Sequence, residues 1–225
     1  MGLIVEEKSI YNGPQPDFEL ISVPGRDGDV ILDHNRFKNV EVSYTVSFIG
    51  TKEKAAALRQ WLCARAVYGY LSDSYQPEYF RYAVFVSQLD IEEVMHNVGR
   101  AVLTFSCKPY LYRKDGSMPT KYTQPDFVLT NPEQYRSVPD ITVYGTGNIY
   151  LNIGYNQYYQ YYMEDIRSQI ILDGELMHAY SGTTPLNEKI RFTEFPYLRP
   201  GDNQISWGGT GTVRSVYIAP NWRTL

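Results

Sequence analysis

Apolar and polar positions alternate without a break over residues 39–48. Val40, Val42, Tyr44, Val46 and Phe48 fall on one face, and Asn39, Glu41, Ser43, Thr45 and Ser47 on the other. A period of two held this long predicts a half-buried antiparallel strand. A slip of one residue would turn the apolar row into water, so the register is firmly set. Upstream, a glycine-punctuated loop (Pro24, Gly25, Gly28) leads into a short strand at Val30–Leu32 and a turn at Asp33–Arg36. Leu3–Tyr11 and Glu19–Val23 read as strands separated by a turn at Asn12–Asp17. Past Gly50 the period changes to three and four. Ala55, Leu58, Trp61, Leu62 and Ala66 share one face of a helix over 51–66, with Thr51 as N-cap and Glu53 at the positive end. The pattern puts Trp61 in the core, leaves Lys52, Lys54, Arg59, Gln60 and Arg65 facing elsewhere, and ends the helix by Gly69.

Tyr68–Tyr82 reads as a tyrosine-rich hairpin turned at Ser74–Glu78, followed by a strand over Arg81–Ile91 and a turn at Asn97–Gly99. Ala101, Leu103, Phe105 and Cys107 then alternate along Arg100–Lys108, closing a first domain over 1–109. Residues 110–139 are rich in proline, polar residues and tyrosine, with little period. They read as a connector or arm, partly ordered because Tyr110, Tyr112, Phe127, Val128 and Leu129 would otherwise face water. From residue 140 to 225 strands and turns alternate. A hairpin is expected over Ile141–Gly154 around Gly145–Asn148, and a second over Gln169–Tyr180 turned at Asp173–Gly174. Further strands are expected at Lys189–Glu194, Gln204–Trp207 and Val213–Ala219. Short strands at this spacing predict an antiparallel β-sandwich. The expected fold class is therefore mostly β: an N-terminal β-sheet domain with one packed α-helix, then a C-terminal sandwich.

Composition narrows the function. The 21 tyrosines in 225 residues favour strands and contact surface over helix bundles. A net charge of −4 argues against holding nucleic acid on a basic face. No apolar run reaches the roughly 18 residues of a membrane-spanning helix. The start, MGLIVEEKSIY, lacks the pattern of a signal peptide, and Glu6 breaks that of myristoylation, so synthesis and folding in a cytoplasm are expected. Cys63 and Cys107 have no CxxC partner and read as free thiols, and His34, His96 and His178 lack metal-ligand spacing. Asp27, Asp29 and Asp33 sit in a glycine turn as turn residues and fail the calcium-loop spacing. No GxSxG, HExxH or Walker loop occurs. No catalytic, cofactor-binding or metal-binding residue is assigned, and no enzyme activity is expected.

The C-terminal run Leu198–Leu225 resembles the end of the distal tail proteins of long-tailed, non-contractile phages. A proline-glycine turn (Pro200-Gly201) enters a strand ending in tryptophan (Ile205–Trp207), followed by a last strand (Val213–Ile218) and Pro220-Asn221-Trp222-Arg223. Val23–Asp33, Phe37–Tyr44 and Phe105–Tyr110 are similar to that family too, so the resemblance spans essentially the whole chain. It implies an N-terminal ring-forming domain and a C-terminal galectin-like β-sandwich. It also implies a hexameric hub at the tail tip of the virion. The partners would be other copies in the ring, the tail tube protein, a tail-tip or tail-associated lysin-type protein, and a receptor-binding protein, while DNA passes through without specific binding and no membrane is involved.

A galectin-like domain raises a second class, a carbohydrate- or receptor-binding adaptor. The His-x-Asn-x-Arg run of the galectin sugar site is absent: His178 is followed by Ala-Tyr-Ser, and His34-Asn35-Arg36 lies in the other domain without the spacing. Trp207 and Trp222 read as packing residues rather than sugar platforms. Tyr155, Tyr158, Tyr159, Tyr161 and Tyr162 read equally well as an adaptor surface or as a loop and strand with half-buried rings.

Overall fold

The computed structural model describes residues 3–9, 13–50, 52–64, 66–95, 98–155, 157–192 and 194–225. The chain divides into two units, Met1–Tyr110 and Leu111–Thr224. The first holds β1 (Ile4–Lys8), β2 (Pro16–Ile21), β3 (Val30–Phe37), β4 (Val40–Ile49), α1 (Lys52–Cys63), β5 (Gly69–Leu71), β6 (Tyr79–Phe85), β7 (Ile91–Met95) and β8 (Val98–Cys107). The alternating stretch is β4, and its apolar row is buried as its period requires. β4 pairs with β8 along its whole length, from Val40 opposite Cys107 to Ile49 opposite Val98. β1 lies on the other edge of β4. The far edge of β8 is shared by β7 near its start and β6 near its end, and β5 pairs with β6. Val42, Val46, Phe48, Ala101 and Leu103 make one apolar face, which Leu58 and Leu62 of α1 close. Each large apolar side chain fully buried there contributes roughly 1.5–3 kcal/mol.

Several expectations change in this unit. The turn expected at Asp33–Arg36 lies inside β3. Asn35 takes φ 54° and the β2–β3 register shifts between Pro16/Phe37 and Phe18/Asp33, so the turn-forming residues make a bulge rather than a reversal. β2 begins at Pro16, within the expected Asn12–Asp17 turn, because proline is tolerated at the first residue of a strand. The helix stops at Cys63, Ala66 is exposed, and Gly69 belongs to β5 rather than to the helix end. Trp61 is 71% exposed: Leu58 and Leu62 already fill the space under α1. The strand expected over Arg81–Ile91 breaks after Phe85, and Gly99 lies within β8. Tyr11, Asn12, the Thr51 cap, Arg65, His96 and Asn97 lie outside the described residues.

The second unit holds β9 (Leu111–Arg113), β10 (Thr120–Tyr122), β11 (Phe127–Asn131), β12 (Asp140–Tyr155), β13 (Gln157–Ile166), β14 (Gln169–Asp173), β15 (His178–Ser181), β16 (Thr184–Pro185), β17 (Ile190–Arg191), β18 (Gly201–Gly209), β19 (Thr212–Ala219) and β20 (Arg223–Thr224). β12 organises it. Its first half, Asp140–Tyr144, lies between β14 and β19, and its second half, from Ile149, lies between β13 and β18. One strand thus serves two sheets, and the side chains between them form a single core with Ile141, Val143, Ile149, Leu151, Ile153, Met163, Ile205 and Ile218.

The hairpin expected around Gly145–Asn148 is therefore the corner where β12 passes from one sheet to the other. Register shifts flank it, Gly147 takes φ 85°, and a Cβ on Gly145 would collide with the carbonyl oxygen of Thr212. The Asp173–Gly174 hairpin forms as expected, with Asp173 Oδ1 accepting the Leu176 N–H at 2.8 Å. The expected Lys189–Glu194 strand is reduced to β17. Residues 111–139, expected as a connector or arm, are woven into the second unit: β10 pairs with β19, and β11 with β18. Their poor period reflects strands of three and five residues, too short to show one.

Candidate assembly surface

The first unit carries an apolar surface on a β-ribbon. Among the described residues, β2 and β3 pair only with each other, as a separate two-stranded sheet. Gly25 and Gly28, at φ 82° and 76°, shape the connecting loop, and the Arg26 N–H donates to the Val23 carbonyl at 3.2 Å. Near the base, Asp17 accepts from Arg36 Nε at 2.7 Å and lies 3.6 Å from Lys38 Nζ. The hydrogen bond from Arg36 holds the Asp17 carboxyl below the usual carboxylate range. Further along, Phe18, Leu20 and Ile31 share one face of the ribbon while Ile21 and Leu32 share the other. All five are exposed, Leu20 to 59% and Ile31 to 66%. A two-stranded ribbon alone is marginal in water, and apolar side chains exposed on both of its faces make it a candidate contact surface.

The outer face of α1 adds a second apolar feature. Trp61 stands beside Ala57, Gln60 and Ala64 around a shallow hollow of about 480 Å³. By contrast, the face of the β4–β8 sheet turned away from α1 is mostly polar, with Glu41 and Arg100 among its hydroxyls and Val102 exposed on it. Ser43 Oγ and Thr104 Oγ1 are 2.9 Å apart, and Asn39 Nδ2 donates to Ser106 Oγ at 2.9 Å. Those hydroxyls satisfy one another across the strands.

An inner polar network ties this scaffold together. Asp73 Oδ2 receives Lys8 Nζ at 2.7 Å and the Tyr44 hydroxyl at 2.6 Å, while Oδ1 accepts the N–H groups of Tyr75 and Gln76. Burial pushes the Asp73 carboxyl up, but the bonds from Lys8 and Tyr44 together outweigh it, and its pKa lies below the ordinary value.

The candidate reactive groups stay apart. Asp27 and Asp29 are exposed in the ribbon loop, and Asp33 Oδ1 caps the Asn35 N–H at 2.8 Å. Cys63 is exposed, whereas Cys107 is buried, which pushes its thiol up to about 11. His34 faces Glu19 at 3.5 Å, and His178 Nδ1 faces Asn187 at 2.8 Å. Among the described residues no three metal-ligating side chains come together, and no helix is long and apolar enough to cross a membrane. Trp222 is buried in the second core, and Trp207 packs against it. The tyrosine cluster is mostly strand: Tyr161 is buried and Tyr159 exposed, while the side chains of Tyr155 and Tyr158 lie outside the described part.

No protein-family model matches the sequence, and no curated protein does either. Among solved structures, the Dit protein (gp 19.1) of SPP1, described as a paradigm of the hub adsorption apparatus in phages that infect Gram-positive bacteria, aligns with a TM-score of 0.71. The alignment covers 99% of this chain and 94% of that one at 13% identity. The chain has a Dit-like fold. The exposed ribbon, the outer face of α1 and the strand-rich second unit are therefore parts of one Dit-like chain rather than of two unrelated domains. At this identity the likeness lies in the path of the backbone, so the sequence reached the same architecture with largely different side chains.

Proposed function

We propose that this chain is a structural hub at the distal end of a phage tail. Its first units close into a hexameric ring that joins the tail tube to the tail-tip or baseplate proteins and leaves a channel for DNA. The observation that carries this reading is the β2–β3 ribbon, apolar on both faces, in a chain of Dit-like fold. A closed ring needs one surface of each subunit to meet a different surface of the next, and a projecting ribbon supplies such a surface. The mostly polar face that carries Ser43, Thr45, Thr104 and Ser106 beside Glu41 and Arg100 suits the lumen, where a net charge of −4 would keep DNA from adhering. The second unit carries the docking surface for receptor-binding parts, and any lytic activity belongs to a partner chain.

Electron microscopy of the purified chain, with light scattering for mass, tests this. Open-centred rings with a mass near six chains are expected, and the double substitution Leu20→Asp/Ile31→Asp should abolish them while leaving a folded chain. Rings that persist in the double variant would remove the ribbon from the interface. A tail in which this protein is a single central copy would sink the hub reading.

A further inference from the structure

One corner of the second unit carries a fixed, uncompensated cation on an aromatic platform. Arg199 Nη2 donates to the hydroxyls of Tyr159 at 3.0 Å and Tyr197 at 3.3 Å, and its guanidinium lies 5.5 and 5.8 Å from the centres of their rings. The two rings are themselves 5.9 Å apart. Among the described residues no carboxylate pairs with Arg199. A second guanidinium, that of Arg136, lies 5.4 Å from the centre of the Tyr197 ring, and Glu194 meets it only at 3.5 Å. The corner therefore holds two positive groups against one negative in a protein of net charge −4.

The backbone beneath is rigid. Buried Asn203 accepts the Arg199 N–H at 2.9 Å and donates to the Arg199 carbonyl at 2.9 Å. Leu198 and Ser137 exchange paired backbone hydrogen bonds of 2.9 Å, which sets Tyr197 and Arg199 on one side of the bridge and Arg136 on the other. Tyr159 is anchored through β13, whose next inward residue, Tyr161, packs edge-on against Phe192 at 5.2 Å in the core. Little side-chain entropy remains to be lost on binding, which is the usual cost of a surface arginine.

We propose that the Tyr159–Tyr197–Arg199 corner binds an acidic sugar residue, its carboxylate or phosphate held by Arg199 and Arg136 and its ring lying against Tyr159. With both Nη2 hydrogens given to phenols, the Arg199 guanidinium keeps its Nε and Nη1 N–H groups for single charge-assisted hydrogen bonds to carboxylate or phosphate oxygens. A small ligand fits better than a protein partner. A stable protein interface needs upwards of roughly 1,000 Å² with an apolar centre, whereas Tyr159, 40% exposed, is the one large apolar side chain exposed at this corner among the described residues. The site lies in the second unit and does not depend on ring closure.

The test is titration of the full chain, by calorimetry and by chemical-shift changes, with glucuronic acid, glucose 6-phosphate, neutral glucose and a hexaglutamate peptide. Either or both acidic sugars should bind weakly, in about the millimolar range expected of a few contacts, with shifts centred on Tyr159 and Arg199. The response to each separates a carboxylate from a phosphate source. Arg199→Ala should weaken binding about tenfold or more and Arg199→Lys should not restore it, while both variants melt like the parent. Added salt should weaken binding. Glucose binding as well as glucuronic acid, hexaglutamate binding where neither sugar does, unchanged affinity in Arg199→Ala, or no binding at all would each overturn the proposal.

Discussion

The two units solve the same problem in opposite ways. Both are built from strands with one apolar face, yet the second turns its apolar side chains inward while the first leaves a ribbon of them outside. The difference is one of closure. β12 is long enough to belong to two sheets, so its two halves wrap around a shared core that includes Ile141, Ile149 and Leu151. In the first unit, β4 and β8 are covered by α1 on one face, but among the described residues β2 and β3 pair only with each other. Where a sheet can fold over on itself, one chain supplies both walls of a core, although single side chains such as Val128 and Leu176 stay exposed. Where it cannot, apolar surface stays exposed, as on the β2–β3 ribbon.

The comparison can be broken most forcefully in the cores. Val46→Asp should unfold the first unit, since an unpaired buried charge costs several kcal/mol, and Leu151→Asp should do the same to the second. Hydrogen exchange on each variant should show lost protection in the substituted unit and retention in the other. Loss across both units in each variant would mean that the halves fold as one. A smaller effect, about 1–3 kcal/mol, is expected for Gly145→Ala, because the added methyl meets the Thr212 carbonyl at the β12 corner. Thermal melting should register it in the second unit, and an unchanged midpoint would show that the corner relaxes freely.

Acid sharpens the contrast. Asp73 has a folded pKa below its ordinary value of 3.8, so its contribution is present above that value and is lost as pH falls through the lower folded value. Asp140, in the second unit, is shifted the other way. Burial raises it despite the hydrogen bond from Asn221 at 3.0 Å, so its charged form is penalised above the raised value and the penalty fades as pH falls toward 3.8. Asp73→Asn should therefore destabilise the first unit by roughly 1.5–3 kcal/mol near neutral pH and flatten its melting profile below pH 4. A variant whose acid profile matches the parent would remove Asp73 from that role. The smallest stability effect belongs to the ribbon. Leu20→Asp/Ile31→Asp should shift the melting of the isolated chain by less than about 0.5 kcal/mol per site, while its effect on assembly should be complete.

Much of the fold was legible because periodicity reports burial directly. The β4 alternation, the matching β8 pattern and the Asp173–Gly174 turn each depend on local chemistry and appear where they were expected. The ribbon was legible only in part. Its glycine loop was plain, but Asp33 to Arg36 carries the residues of a turn and of a bulge alike, and only the partner strand selects between them. The Tyr159–Tyr197–Arg199 corner left no sequence signal, since Tyr159 is 38 residues from Tyr197 and local spacing says nothing of their meeting. Tyrosine abundance pointed to the region without choosing a residue.

By itself the sequence determined the strand faces, the place of the helix, the mostly-β class and the absence of familiar catalytic motifs, because each follows from side chains a few residues apart. Tertiary structure decided that Trp61 faces water, that residues 111–139 belong to the second unit, and that Gly145–Asn148 is a corner rather than a hairpin. In each case the local pattern allowed two outcomes. The choice fell to space already filled by other segments: Leu58 and Leu62 under α1, β18 and β19 beside the early strands, and the Thr212 carbonyl against Gly145.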